Sequence, residues 1–307
     1  MNDTTSQAYT TGSVPSRDGT AIAYRQLGRG PGLVLVHGGM QASQNFMTLA
    51  TGLRDAYTVY IPDRRGRGRS GPFGDTYGLD KECEDLGALL NQTGSRYVFG
   101  LSSGGIIALR AALSLPDIRK VAVYEPPLVT DRASPPKSCV TRYKQEMAGG
   151  QLAPAMATLM KAIRDSSLFD IARLPRFLLV PLLKYLLRSE VGQVRGDDVP
   201  IASLIPTWAF DAKLSEQTDG MLRSFGDIRA PILLLGGNRS ARFLRTALDD
   251  LHAVLPNARR VELKGQGHMA PDNVGNPALV AAELRAFFVE SPSGEPQAPN
   301  HALPVHP

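Results

Sequence analysis

The chain has 307 residues, 43% of them hydrophobic and 21% charged, ordinary proportions for a water-soluble globule with one large core, or a core plus a small subdomain. Its formal net charge of +5 is spread along the sequence, not blocked, which argues against a nucleic-acid partner. Two cysteines, Cys83 and Cys139, exclude a disulfide framework, and the start Met1-Asn-Asp-Thr-Thr-Ser lacks the basic and apolar regions of a secretory signal, so reducing cytoplasm is the expected compartment.

In chain order, short apolar runs occupy 20–27, 32–36, 57–62, 96–101, 119–125, 231–236 and 259–263, and helical stretches occupy 43–54, 79–93, 104–114, 241–254 and 277–289. This alternation predicts a mostly parallel sheet with helices on both faces. Cys83 falls on the helical stretch and reads as a buried thiol. Between Pro127 and Phe225 the alternation stops, and helical patterns take over at about 141–149, 153–165, 167–174, 176–188 and 211–224. Within that segment, 171–187 is apolar, but its longest uncharged run, Phe177 to Leu183, is far shorter than the roughly 20 residues a spanning helix needs. Pro175 and Pro181 are expected to break it into short helices. A basic amphipathic face lying on a membrane surface is a further reading of this stretch. The Pro-, Ser- and Asn-containing tail from Ser291 reads as disordered.

The chemistry concentrates where strands end. Gly100-Leu-Ser102-Ser-Gly104 lies between an apolar run and a helical run, as in a sharp strand-to-helix turn that lifts a serine oxygen clear of the sheet. A serine hydroxyl needs a base to take its proton, and the chain has five histidines. His301 and His306 lie in the tail, His252 in a helix, and His37 directly after a strand. His268, in a loop after the last strand and before the last helix, is the candidate base. His37-Gly38-Gly39-Met40 ends another strand, and the amides of Gly39 and Ser103 are candidate donors to a developing oxyanion. The run Arg64, Arg65, Arg67 and Arg69 has no interleaved aromatics and reads as a structural loop, not a phosphate-binding one.

These pieces together, His37-Gly-Gly39, Asp63-Arg-Arg-Gly-Arg-Gly-Arg-Ser70, Gly100-Leu-Ser-Ser-Gly104 and Gly267-His268, resemble the α/β-hydrolases in content and order. The resemblance covers roughly residues 14–127 and 225–290. It implies an eight-stranded, mostly parallel sheet, a helical lid inserted after strand 6, and a Ser–His–acid triad that needs no cofactor and no metal. The sequence departs from the commonest family pattern at the acid: the loop Gly237-Asn-Arg-Ser-Ala-Arg-Phe243 after the seventh strand carries no carboxylate, and Asp249 and Asp250 come well into the next helix. Glu125, ending Lys120-Val-Ala-Val-Tyr-Glu125, matches the alternative position used by some members, haloalkane dehalogenases among them.

The expected organisation is therefore a tail at 1–12, a core at 13–127 and 225–290, a helical lid at 128–224 and a disordered tail at 291–307. The expected activity is hydrolysis of an ester, thioester or lactone of a small, mostly apolar molecule through an acyl-enzyme. Carbon–carbon bond hydrolysis uses the same residues, and a non-hydrolytic or ligand-binding member of the same fold is the reading from a different class. Ser102, His268 and Glu125 are the expected triad. Phe177 and Trp208 are expected to line the pocket, with Phe169, Leu178, Leu182, Tyr185, Leu186 and Phe210 as further lid residues near it. Oligomeric state is left open.

Overall fold

A computed structural model of the chain describes residues 9–163, 171–190, 194 and 196–289. Eight strands, β1 (Thr10–Pro15), β2 (Ala21–Gly28), β3 (Gly32–Val36), β4 (Thr58–Pro62), β5 (Tyr97–Leu101), β6 (Lys120–Tyr124), β7 (Ile232–Gly237) and β8 (Ala258–Leu263), form one sheet in the order β1-β2-β4-β3-β5-β6-β7-β8. β1 and β2 pair antiparallel, as do β2 and β4, and every later pairing is parallel. Residues 10–12, expected to belong to the tail, begin β1. Its sequence Thr-Thr-Gly-Ser-Val-Pro buries only Val14, so it carries little hydrophobic signal.

The central strands are buried on both faces, and alternate residues feed two separate cores. Val34, Val98, Val121 and Leu234 pack against α2 (Leu79–Thr93), α3 (Ser103–Ser114) and α9 (Arg242–Val254). Leu33, Phe99, Ala122 and Leu233 pack on the other face against α1 (Met47–Thr51) and α10 (Pro277–Phe288). The family's sheet and flanking helices are thus present as expected.

Between β6 and β7 the chain leaves the sheet for α4 (Lys137–Ala148), α5 (Leu152–Ile163), α6 (Arg176–Glu190), α7 (Ile201–Leu204) and α8 (Trp208–Glu216). Part of the stretch expected to be helical at 167–174 lies outside the described residues, as does Phe169. This insertion has small cores of its own, one joining α5 to α6 through Ala153, Ala157, Met160, Leu179 and Leu183. Glu146 of α4 accepts a hydrogen bond from Thr158 of α5 at 2.7 Å and pairs with Arg176 of α6, tying the three helices together. Pro181 does not break α6, which runs through it. The carbonyl of Phe177, left without its usual donor, belongs to an exposed residue where water can replace it.

Candidate active site

Ser102 follows the end of β5 and caps the N-terminus of α3 with φ 54° and ψ −123°, a conformation that costs a side-chain-bearing residue energy. The flanking glycines make it attainable. A methyl group at Gly100 would run into the Gly104 carbonyl, and one at Gly104 would run into the Val36 carbonyl. The turn is held to the neighbouring strand by the Ser102 amide, which donates to the Tyr124 carbonyl at 2.8 Å.

Register places Glu125 level with Ser102, because Leu101 pairs with Tyr124 across β5 and β6. Glu125 is fully buried, and its Oε2 lies 2.8 Å from His268 Nδ1. Its Oε1 accepts the Gly237 amide at 2.7 Å. Glycine at the end of β7 makes room for this: a Cβ on Gly236 would sit 3.0 Å from Glu125 Oε1. A carboxylate directly after β6 thus meets His268, where the loop after β7 has none. Asp250 has a different task, accepting from Thr130 at 2.6 Å and pairing with Arg132 at 2.7 Å, while Asp249 lies 3.9 Å from Arg260.

His268 is nearly buried, and Tyr124 steadies its loop from below by donating its hydroxyl to the Gly267 carbonyl at 2.7 Å. With Nδ1 facing Glu125, Nε2 is the nitrogen left for chemistry. Ser102 and His268 both border a cavity of about 770 Å³.

Gly39 and Ser103 border the same cavity. Gln41 braces the Gly39 loop, accepting the Gly38 amide at 2.7 Å while its own amide donates to Asp272 at 2.6 Å. Beyond Gly39, Met40 also has positive φ, at 53°. Among the described residues the non-glycine positions with positive φ are Met40, Ser102 and Glu125. All three follow strands, Ser102 and Glu125 directly and Met40 after a short turn, and stand around one cavity or directly behind it.

Beneath this side lies a buried charge cluster that the sequence did not reveal. Asp211, carried in by α8, accepts from Arg64 at 2.9 Å, Arg67 at 2.7 Å and the Ser103 hydroxyl at 2.7 Å. Burial works against its charge, yet the Arg67 and Arg64 guanidiniums hold its carboxyl below the ordinary carboxylate value. Arg64 also pairs with Glu82 at 2.7 Å, and Arg65 with Asp85 at 2.6 Å. These guanidiniums point inward, as a structural loop requires. Only one signal for Asp211 was available: buried arginines need anions, and the loop itself offers too few. His37 is buried as well. Its Nδ1–H donates to the Gly38 carbonyl at 2.9 Å and its Nε2 accepts the Arg64 amide at 3.2 Å. Burial, reinforced by Arg67 and Arg64, pushes its imidazole well below the usual value and keeps it neutral.

The rest of the cavity wall is mainly apolar. Met156, Leu159, Met160 and Ile163 come from α5 and Val140 from α4. Trp208 lies on the wall, with Tyr143 edge-on at 4.7 Å. Phe177 does not. It is 75% exposed on the outside of α6, and α5 stands between that helix and the cavity. The expectation for Phe177 is therefore corrected, and Leu178 and Tyr185 share its outward position. Cys83 is buried, with its thiol pushed up to about 12 by burial.

The model of the alpha/beta hydrolase fold family matches residues 31–273. The chain belongs to this α/β-hydrolase family. Its hydrolase relatives include the uncharacterized hydrolase YraK of Bacillus subtilis (strain 168), 34% identical over 115 residues, which are 36% of this chain and 42% of that protein. The pimeloyl-[acyl-carrier protein] methyl ester esterase of Xanthomonas axonopodis pv. citri (strain 306) is 28% identical over 273 residues, 87% of this chain and 98% of the esterase. Among solved structures, an alpha/beta hydrolase from Sphaerobacter thermophilus DSM 20745 superposes with a TM-score of 0.71 at 32% identity, covering 91% of this chain and all of that one. The chain is a hydrolase of this fold. Among the described residues no helix is long and apolar enough to cross a membrane.

Proposed function

We propose that this hydrolase cleaves esters, thioesters or lactones of small, mostly apolar molecules through an acyl-enzyme on Ser102. The observation that carries the reading is that the strained, non-glycine positions Met40 and Ser102 border the cavity that His268 also borders, with the third, Glu125, bonded to His268 behind it. Strain of this kind persists where the surrounding fold over-determines it, and here it aims a nucleophile, orients its acid and shapes the loop of the oxyanion donors.

In this mechanism His268 Nε2 takes the Ser102 proton as Oγ bonds to the substrate carbonyl carbon. The electron pair displaced onto the carbonyl oxygen is held by the Gly39 and Ser103 amides. His268 then gives its proton to the departing alkoxide oxygen or thiolate sulfur as the carbon–oxygen or carbon–sulfur bond breaks, leaving an alcohol or thiol. Water adds next and loses its proton to His268, which passes it to Ser102 Oγ as the acyl–oxygen bond breaks and the acid is released. Glu125 keeps Nδ1 protonated and stabilises the imidazolium that forms twice per cycle. The helical insertion acts as a lid whose α5 face receives the apolar part of the substrate, in keeping with a relative named for methyl ester hydrolysis.

A fluorophosphonate probe tests the reading. Labelling of the folded chain at Ser102, lost in Ser102→Ala, is expected. A well-folded protein that takes up no probe would sink it and favour a ligand-binding or non-hydrolytic role.

A further inference from the structure

Among the described residues, the exposed large hydrophobic side chains are Phe177, Leu178, Tyr185, Leu186, Val274 and Val289, and the first four belong to the single helix α6. At about 100° per residue, Phe177, Leu178, Pro181, Lys184, Tyr185 and Arg188 fall within an arc of roughly 120°. Leu179 and Leu183, both fully buried against α5, lie opposite. The helix is therefore apolar on two sides, and only one of them is used by the fold. Phe177 and Tyr185 are 75% and 69% exposed, far more than isolated surface apolar residues need explain.

The charges on this helix are sorted. Arg176 turns inward to Glu146, and Glu190 turns back to accept the Ile201 amide at 3.0 Å. The charged side chains left on the outer arc, Lys184 and Arg188, are both cationic and both exposed. Aromatic and aliphatic groups flanked by cations, without a carboxylate among them, match the boundary between anionic headgroups and acyl chains. A second copy of the chain is a poorer fit. A twofold contact through this face would bury Lys184 and Arg188 against an arc that offers no carboxylate to pair them.

We propose that the outer face of α6 docks the protein onto an anionic lipid bilayer, with Phe177, Leu178 and Tyr185 entering the headgroup region and Lys184 and Arg188 meeting anionic headgroups. The helix lies in the interface; no described helix has the length to span. Met160 packs in the core shared with α6 and also borders the cavity, so the docked surface is one helix away from the cavity.

Flotation of the full chain with vesicles of phosphatidylcholine, with and without phosphatidylglycerol, decides it. The wild type is expected to float with the anionic vesicles and to be released by salt. Phe177→Ser and Tyr185→Ser are each expected to weaken partitioning roughly tenfold, and Lys184→Ser and Arg188→Ser roughly fivefold each. Val289→Ser, at an exposed apolar site off the helix, serves as the control and is expected to bind like the wild type. Thermal melts of all variants check that the fold is kept, since none of these side chains is buried. Failure of the wild type to float with anionic vesicles overturns the proposal, as does equal binding to both vesicle types. A dimer detected by light scattering and dissolved by Phe177→Ser also overturns it, assigning the face to a second copy.

Discussion

Glu125 and Asp211 are carboxylates sealed from solvent within the same site, one delivered by the sheet and the other by the insertion. Glu125 lies behind His268, with one oxygen on a backbone amide and the other on an imidazole whose charge can change. Asp211 has its oxygens on two guanidiniums and a hydroxyl, and the guanidiniums keep their charge at any working pH. Both are buried, and the partner decides what the carboxylate does. In the proposed mechanism the one faced by a titratable group responds during turnover; the one faced by permanent cations fastens. Asp211 fastens α8 to the Arg64–Arg67 loop and to Ser103, whose amide is an oxyanion donor in the proposed mechanism.

Ser102→Ala is expected to have the largest effect. Turnover should fall by on the order of 10⁴–10⁶, with the denaturation midpoint nearly unchanged, because triad residues act as a unit. Wild-type turnover in that variant would remove the mechanism within which Glu125 is assigned.

Glu125→Gln comes next. It keeps the shape and the hydrogen bond to Gly237 but loses the charge, and kcat should fall roughly 10²–10⁴-fold; loss of the acid in serine proteases costs about 10⁴. Asp249→Asn and Asp250→Asn should leave kcat near wild type, although Asp250→Asn will cost stability through Arg132 and Thr130. An Asp250→Asn enzyme with crippled turnover beside an active Glu125→Gln enzyme would reverse the assignment.

Asp211→Asn is the contrasting case. Removing one partner of a buried ion pair leaves uncompensated charge, so unfolding free energy should drop by about 3–5 kcal/mol. The loss of kcat in the folded fraction should be smaller than for Glu125→Gln, since Asp211 bonds neither Ser102 nor His268 and acts on the site by holding Ser103 and Arg64 in place. A stability change within about 1 kcal/mol, the ordinary size for a surface site, would show that Asp211 does not fasten the insertion.

The two carboxylates also differ in how legible they were. Glu125 is legible through the family resemblance: it ends a strand at the alternative acid position of some members, and the loop after β7 offers no acid. The elbow and the base were equally local, one a five-residue turn whose glycines answer to backbone crowding, the other one histidine among five. Asp211 is 144 residues from Arg67 and comes from a helix whose neighbours are apolar, so no local pattern announces the pairing. Phe177 failed for a related reason. α6 carries apolar side chains on opposite faces, and hydropathy alone does not tell which one the fold covers. Pro181 shows the limit of breaker rules, since a proline on a solvent-facing turn removes a hydrogen bond that water replaces.

The smallest expected effect separates the two sides of the site by pH. His37 lies on the Asp211 side, fully buried and held neutral by burial and by Arg67 and Arg64. Its folded-state pKa is depressed, so its contribution to stability is complete above the unfolded imidazole value of about 6.5. As pH falls below that value, the unfolded chain binds a proton that the folded chain refuses. Stability should then decline by up to about 1.4 kcal/mol per pH unit until the folded-state pKa is reached. Asp211 has the same sign but a lower window. Its contribution is present above the unfolded carboxylate value of about 3.9 and is lost as pH falls through the depressed folded value. Urea titrations of the wild type and His37→Gln between roughly pH 5 and 7.5 isolate the imidazole, because Asp211 stays ionised throughout that range. The variant should be less stable near neutrality, having exchanged a ring that satisfies the Gly38 carbonyl and the Arg64 amide. Its stability should nevertheless fall less steeply toward acid, so that the two curves converge. Parallel curves would mean that His37 takes up its proton in the folded state, and the Arg64–Arg67–Asp211 cluster would then have to carry a further positive charge.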